Sequence, residues 1–293
     1  MGKALCEASP AARACFELAD RALGFSLSKL CFEGPLDELT LTKNAQPAIL
    51  TASIAALNAW REATPSLPAP SFAAGHSLGE YSALVAAGAL RFEDAVRIVH
   101  LRGRAMQDAV PEGQGAMAAI MGGEPAQVVA LCAEAAHGDV LSPANFNSPG
   151  QIVISGTAAA VARAVELAPS QKLKAIPLKV SAPFHSALMA PAARAVEAAL
   201  ARVEIGPLAF PVVANVDARP NADRARVAEL LVRQVDGPVR WQESIAFMAE
   251  AGVTRAYEIG PGKVLAGLVK RIDKRISVEA RFDPASLAAA ANG

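Results

Sequence analysis

Ser71-Phe72-Ala73-Ala74-Gly75-His76-Ser77-Leu78-Gly79-Glu80-Tyr81 is the stretch on which the fold turns. The apolar run over 71–74 suits a buried strand, and residues 80–87 read as a helix, so Ser77 falls on a strand-to-helix turn. Gly75-His76-Ser77-Leu78-Gly79 is the G-x-S-x-G pattern, in which such a turn presents a serine hydroxyl. Strand and helix backbones approach closely there, and Gly75 and Gly79 are expected to supply the room. The backbone N–H of Leu78 then faces the oxygen of an acyl group on Ser77 Oγ, and the helix dipole adds positive potential at the same place. The same letters also suit a glycine-rich helix start with Ser77 as a mere cap, so the motif needs a base before it becomes chemistry.

Working outward, strands alternate with helices on both sides of this turn. Ser9 caps an amphipathic helix running to Leu23, with Pro10 in its first position and Gly24 as its stop. Further helices are predicted over 46–60, 93–106, 191–201, 222–235, 244–250 and 264–272, and strands over 210–215 and 253–259. That alternation implies a parallel sheet covered on both faces. The middle differs. Residues 115–121, 125–136, 140–145, 151–155, 157–167 and 173–180 read β-α-β-β-α-β, the split arrangement of ferredoxin-like domains. A small domain over 114–181, inserted into a large α/β domain of 1–113 and 182–293, is the expected organisation.

The serine needs a base, and there are four histidines: His76, His100, His137 and His185. His76 adjoins Ser77 and is expected to point away from it. His100 lies in a helical run and His137 at a helix end, and both read as structural or exposed. His185, in Ser181-Ala182-Pro183-Phe184-His185-Ser186, leaves the small domain on a loop, where a side chain faces an interdomain cleft. Asp94, Asp108 and Asp139 lie between serine and histidine in chain order, but none follows a convincing strand, so the hydrolase triad order lacks support. Arg102 sits among apolar and small residues. Its planar fork suits either a ligand carboxylate or an internal ion pair. The loop Asn145-Phe146-Asn147-Ser148-Pro149-Gly150-Gln151 offers amides for a substrate or for its own turn.

The bulk properties narrow the class. The chain has 293 residues, 28 Lys+Arg against 28 Asp+Glu, and no net charge. That balance argues against nucleic acid, which demands a basic excess. Hydrophobic residues make up 53% and aromatic ones 5%, which argues against disorder and leaves alanine and small aliphatics to fill the core. No apolar run reaches membrane-spanning length and no signal core opens the chain, so a cytosolic protein off the membrane is expected. Cys6, Cys15, Cys31 and Cys132 form no C-x-x-C pair, and no metal site is expected.

Assembled, these residues resemble the malonyl-CoA:acyl-carrier-protein transacylases, the acyltransferases of bacterial type II fatty acid synthesis. The matching segments run over nearly the whole chain. They are Gln46-Pro47-Ala48, 75–81, Arg102-Gly103, 145–151, 181–186, Gly237-Pro238-Val239-Arg240-Trp241 and Gly260-Pro261-Gly262-Lys263-Val264-Leu265. The resemblance implies a hydrolase-like parallel sheet flanked by helices, with an inserted ferredoxin-like domain. It implies a malonyl-serine at Ser77, His185 as base oriented by the main-chain carbonyl of Gln234, and Arg102 gripping the malonyl carboxylate. Gln46, His76 and Asn147 would line the pocket or tune the pair, and Phe184 would disfavour a methyl branch. Malonyl-CoA and acyl carrier protein would be substrates, with no cofactor and a monomeric enzyme. One departure stands out. The family begins with an apolar strand and a Gly-Gln-Gly-Ser-Gln turn that this chain lacks, so an N-terminally clipped member is expected. It would be short of one strand and one oxyanion donor, a loss of about 10²–10³ in turnover. A serine esterase or thioesterase on the same turn, a discrete polyketide acyltransferase, and an inactive carrier-protein binder are the other readings. An esterase would turn over uncharged esters and be indifferent to Arg102→Ala.

Overall fold

The computed structural model describes residues 1–180 and 182–291. Ser181 of the histidine loop and Asn292-Gly293 at the end of the alanine-rich tail lie outside the described residues. The chain opens with helices α1 (Lys3–Ala8), α2 (Pro10–Leu23), α3 (Leu27–Glu33), α4 (Leu36–Thr40) and α5 (Thr42–Ala63). α2 begins as its sequence predicts. Ser9 Oγ accepts from the Ala12 N–H at 3.1 Å, Pro10 takes the first position, and Gly24 ends the helix at φ 74°.

α5 starts at Thr42, ahead of the predicted Gln46, and carries Pro47 inside it. A proline offers no N–H to the carbonyl four residues back, here that of Lys43. His100 repairs the gap: its Nδ1–H donates to the Lys43 carbonyl at 2.8 Å. Beyond Pro47 the helix is buried almost all round, and Ala48, Ala52, Ala55, Ala56 and Ala59 join the main core. Alanine at those positions lets neighbouring helices approach closely, which is how a core with few aromatics fills its space.

Next come β1 (Ala73–Ala74), α6 (Leu78–Ala86) and α7 (Phe92–Asp108). The middle of the chain folds into β2 (Gly115–Met121), α8 (Pro125–Ala136), β3 (Leu141–Ser148), β4 (Gln151–Thr157), α9 (Ala158–Leu167) and β5 (Lys174–Pro177). Their sheet has the order β3-β4-β2-β5 with every neighbour antiparallel. This is the ferredoxin-like arrangement. Side chains alternate as strand geometry demands. Ala118, Ile120, Ile152 and Ile154 face α8 and α9, whereas Met117, Ala119 and Val153 face the other way, where Phe184 packs.

The remainder is α10 (Ala190–Leu200), β6 (Val212–Ala214), β7 (Arg219–Asn221), α11 (Val227–Asp236), α12 (Trp241–Glu250), β8 (Arg255–Ile259), α13 (Val264–Ile272), β9 (Ser277–Arg281) and α14 (Pro284–Ala291). β1 pairs with β6 in parallel, Ala73 opposite Val212, and β8 pairs with β9 in parallel. The short β7 returns antiparallel to β6. β1 and β6 point their C-terminal ends at one place, and the residues that follow them, Gly75–Ser77 and Asn215, meet there. The inserted sheet is tied to that end by backbone bonds, Phe146 N–H to the Val239 carbonyl at 2.9 Å and Val239 N–H to the Ala144 carbonyl at 2.8 Å. Among the described residues no helix is long and apolar enough to cross a membrane.

Candidate active site

Ser77 has φ 50° and ψ −105°, a conformation an L-residue adopts only when its surroundings impose it. Such backbone costs about 1–3 kcal/mol. Hydrogen bonds impose it here. Ser77 N–H donates to Asn215 Oδ1 at 2.7 Å, and the Ser77 carbonyl accepts from Gln234 Nε2 at 2.8 Å. Asn215 Nδ2 also donates to the Gly75 carbonyl at 2.8 Å, so one side chain grips both arms of the turn. Gly75 is indispensable to this geometry, because a Cβ there would lie 2.0 Å from the Gly79 carbonyl carbon. Gly79, in contrast to the expectation from the motif, needs no such room: a Cβ there would meet nothing within 4 Å, and it is the Gly79 backbone that crowds Gly75. Leu78 supplies the first amide of α6, which by its position has no intrahelical acceptor.

The base is in place. Ser77 Oγ and His185 Nε2 are 2.8 Å apart, and His185 Nδ1–H donates to the Gln234 carbonyl at 2.9 Å. That second bond fixes the tautomer, so Nε2 carries the lone pair and Ser77 O–H donates to it. Burial, and secondarily the Arg102 guanidinium, hold the His185 pKa down at about 3. The imidazole is therefore neutral and able to accept a proton at pH 7. The carboxylates considered for a triad are elsewhere. Asp94, Asp108 and Asp139 pair with Arg97, Arg104 and Arg163 at the surface. His137 sits in left-handed backbone at the end of α8.

Arg102, only 1% exposed, reaches the same oxygen from α7. Its NH2 donates to Ser77 Oγ and to Gln234 Oε1, each at 2.9 Å, and its NH1 donates to Gln46 Oε1 at 2.7 Å. The Tyr81 ring lies 5.5 Å from the guanidinium carbon. Of the two sequence readings of Arg102, the internal ion pair fails, because every one of these partners is neutral. Burial opposes its charge, yet a guanidinium stays protonated in proteins, so the site holds a desolvated cation without a bonded counter-ion, 2.9 Å from the hydroxyl.

His76 points away from the nucleophile, as expected. Its Nε2–H donates to Asn147 Oδ1 at 2.8 Å, joining the turn to β3, and the Trp241 ring lies 5.8 Å away. Burial lowers the His76 pKa and keeps it neutral. Gln46 is 7% exposed and touches the site through Arg102. Phe184, next to the histidine, bridges the main core and the inner face of the inserted sheet.

Residues 1–281 match the family model for the acyl transferase domain. The chain is 50% identical to the malonyl CoA-acyl carrier protein transacylase of Bacillus subtilis, over 98% of this chain and 90% of that one.

The chain belongs to the acyl transferase family of malonyl CoA-acyl carrier protein transacylases.

The Salmonella typhimurium transacylase is 49% identical over 94% of this chain and 89% of its own. Among solved structures, the acyl carrier protein S-malonyltransferase of Vibrio cholerae superposes with a TM-score of 0.96 at 45% identity, covering 99% of this chain and 94% of that one. A malonyl-transacylase solved in complex with a type II polyketide acyl carrier protein gives 0.95 at 46% identity, covering 100% and 94%.

Sequence reasoning missed three contributors to the site. Asn215 and Glu80 were not singled out, and Gln234 entered only through its carbonyl. The Gln234 side chain is fully buried and bonds Ser77, Glu80 and Arg102 at once. Glu80 carried the available signal, an acid in the first turn of a helix that otherwise reads as buried.

Proposed function

We propose that this acyltransferase moves a malonyl group from malonyl-CoA to the phosphopantetheine thiol of an acyl carrier protein, through an ester on Ser77, supplying fatty acid synthesis. Malonyl CoA and acyl carrier protein are the partners in its relatives' names. His185 Nε2 takes the Ser77 proton as Oγ adds to the thioester carbonyl. The tetrahedral oxyanion faces the Leu78 N–H at the positive end of α6. Collapse breaks the C–S bond, and His185 returns the proton to the departing CoA sulfur. The carrier thiol then gives its proton to His185, attacks the Ser77 ester, and leaves as malonyl carrier protein while the proton returns to Oγ. Each half-reaction exchanges one acyl bond for another, so the two substrates suffice without a cofactor.

Arg102 selects the acyl group. A malonyl carboxylate gives the buried guanidinium its counter-ion, whereas acetyl leaves it uncompensated. Gln46 holds the far edge of that guanidinium. His76 and Asn147 line the inserted-sheet side, and the bulk of Phe184 disfavours a methyl branch. Residues 114–181 act as an inserted unit that forms one wall of the cleft. The observation that carries this reading is the convergence of a neutral imidazole and an unpaired guanidinium on one serine oxygen, at 2.8 and 2.9 Å.

The test is direct. Incubation with malonyl-CoA adds the mass of one malonyl group to Ser77, and acyl carrier protein removes it. Ser77→Ala abolishes the adduct and lowers transfer by about 10⁶. A parent chain that takes no label from malonyl-CoA would overturn the assignment.

A further inference from the structure

We infer that Glu80 is a positioning residue: its carboxylate sets the direction of a buried hydrogen-bond chain through the Gln234 amide, and that direction holds the Arg102 guanidinium against Ser77. The inference rests on the malonyl-transfer reading for what Arg102 does, but the geometry stands by itself. Glu80 is three residues past Ser77, 2% exposed, in the first turn of α6. One carboxylate oxygen accepts from the Asn215 backbone N–H and from Gln234 Nε2, each at 2.9 Å. Gln234 Nε2 gives its other hydrogen to the Ser77 carbonyl at 2.8 Å, with Asn215 Oδ1 3.4 Å away. The NH₂ end of the Gln234 amide is therefore surrounded by oxygens. Its Oε1 is left for Arg102 NH2, at 2.9 Å.

An amide has a donor end and an acceptor end, and an acceptor placed at one end decides which way it faces. If Gln234 turned over, its oxygen would meet the Ser77 carbonyl and the Glu80 oxygen that already accepts from the Asn215 N–H, an acceptor whether or not the other Glu80 oxygen carries a proton, and its NH₂ would meet the guanidinium. Both ends would then be like against like, in a buried site where unpaired polar groups are costly. Glu80 and Arg102 feel each other's charge but form no direct ion pair, so the bonded, directional path between them runs through Gln234. By holding the Asn215 backbone, Glu80 also steadies the side chain that grips both arms of the Ser77 turn.

The experiment compares parent, Glu80→Ala, Glu80→Gln, Arg102→Ala and the Glu80→Ala/Arg102→Ala double variant. Two quantities are read: the ratio of Ser77 loading from malonyl-CoA and acetyl-CoA, and the rate of Ser77 labelling by a neutral fluorophosphonate. Glu80→Ala is expected to lower the malonyl-to-acetyl ratio about tenfold or more. Glu80→Gln, whose amide oxygen can accept both bonds, keeps the ratio near that of the parent. In the double variant the loss does not exceed that of Arg102→Ala alone, as expected when one residue acts through the other.

An equal fall of malonyl and acetyl loading in Glu80→Ala, or additive losses in the double variant, would overturn the inference. The fluorophosphonate keeps the two readings apart, because it carries no carboxylate and Arg102 also bonds Ser77 Oγ. A slower labelling in Glu80→Ala that matches Arg102→Ala and does not add to it supports positioning even if Arg102→Ala leaves the malonyl-to-acetyl ratio untouched. That last result counts against malonyl recognition only. If Glu80→Ala does not fold, Gln234→Leu takes its place. It removes the relay, keeps the carbonyl that orients His185, and must lower the same ratio; an unchanged ratio overturns the inference.

Discussion

The nucleophile turn and the inserted sheet meet at the His76–Asn147 bond and are built on opposite principles. In the sheet, local rules and packing agree: alternating side chains, Thr157 capping α9, and a dry cluster of Ile120, Leu131, Ile152 and Ile154. At the turn, local rules are broken. Ser77 has positive φ, Glu80, Arg102 and Gln234 are buried polar groups, and the main bonds join residues far apart in sequence. The sheet is held by non-directional burial, which tolerates substitution by degrees. The turn is held by directional bonds that permit one arrangement, and that single arrangement is what aligns Ser77, His185 and Arg102.

The largest expected difference comes from Gly75→Ala. Its Cβ would sit 2.0 Å from the Gly79 backbone, where no side chain can yield. The turn has to open, and both transfer activity and the cooperative melt should be lost. Soluble protein with parental loading of Ser77 would contradict the close approach. Leu131→Ala, in the sheet's fully buried cluster, is expected to cost about 2–5 kcal/mol in denaturant unfolding. Transfer per folded molecule should survive, since none of the site residues belongs to the cluster that Leu131 fills.

A third test uses pH. Burial raises the Glu80 pKa from 4.5 to about 7, so its contribution is full below about 4.5 and is lost as pH rises through about 7. Burial lowers the His185 pKa from 6.5 to about 3, so its contribution is full above about 6.5 and is lost as pH falls toward 3. The two oppose each other between 4.5 and 6.5. Glu80→Gln removes the first. Its stability relative to the parent should climb by about 3 kcal/mol between pH 4.5 and 7, read from urea titrations at each pH. A flat difference would mean that Glu80 ionises as it does in water. Arg102, Asp217 and the hydrogen bonds from Asn215 and Gln234 are the other influences on Glu80. The smallest effect is Gly79→Ala, where open space and a helical position predict a melting temperature at or slightly above that of the parent, a gain of about 0.5 kcal/mol.

The same contrast explains what could be read from the amino acids. β2 and α8 begin and end at the predicted residues, because period-2 and period-3.6 patterns with caps are local signals. β7, only Arg219-Pro220-Asn221, carries no such pattern and exists because β6 offers an edge. Ser77, His185 and Arg102 were legible because their side chains are chemically unusual where they stand. Asn215 and the Gln234 side chain were not, since an amide on a strand end or a buried helix face looks like any other until folding brings it to Ser77. The role of His100 was hidden for a similar reason: Pro47 leaves the Lys43 carbonyl open, but only the packing of α7 on α5 says who fills it.

Ser77 and His185 both have positive φ, at 50° and 59°. Each therefore occupies a backbone twist that glycine would enter more cheaply, and a glycine at 77 would ease that twist while leaving nothing to offer a thioester. At 77 backbone ease and upkeep of turnover thus pull on one codon in opposite directions, whereas at 185 glycine would also empty a buried site and leave the Gln234 carbonyl without its partner. Laboratory selection for heat tolerance alone would be expected to erode the chemistry before the scaffold.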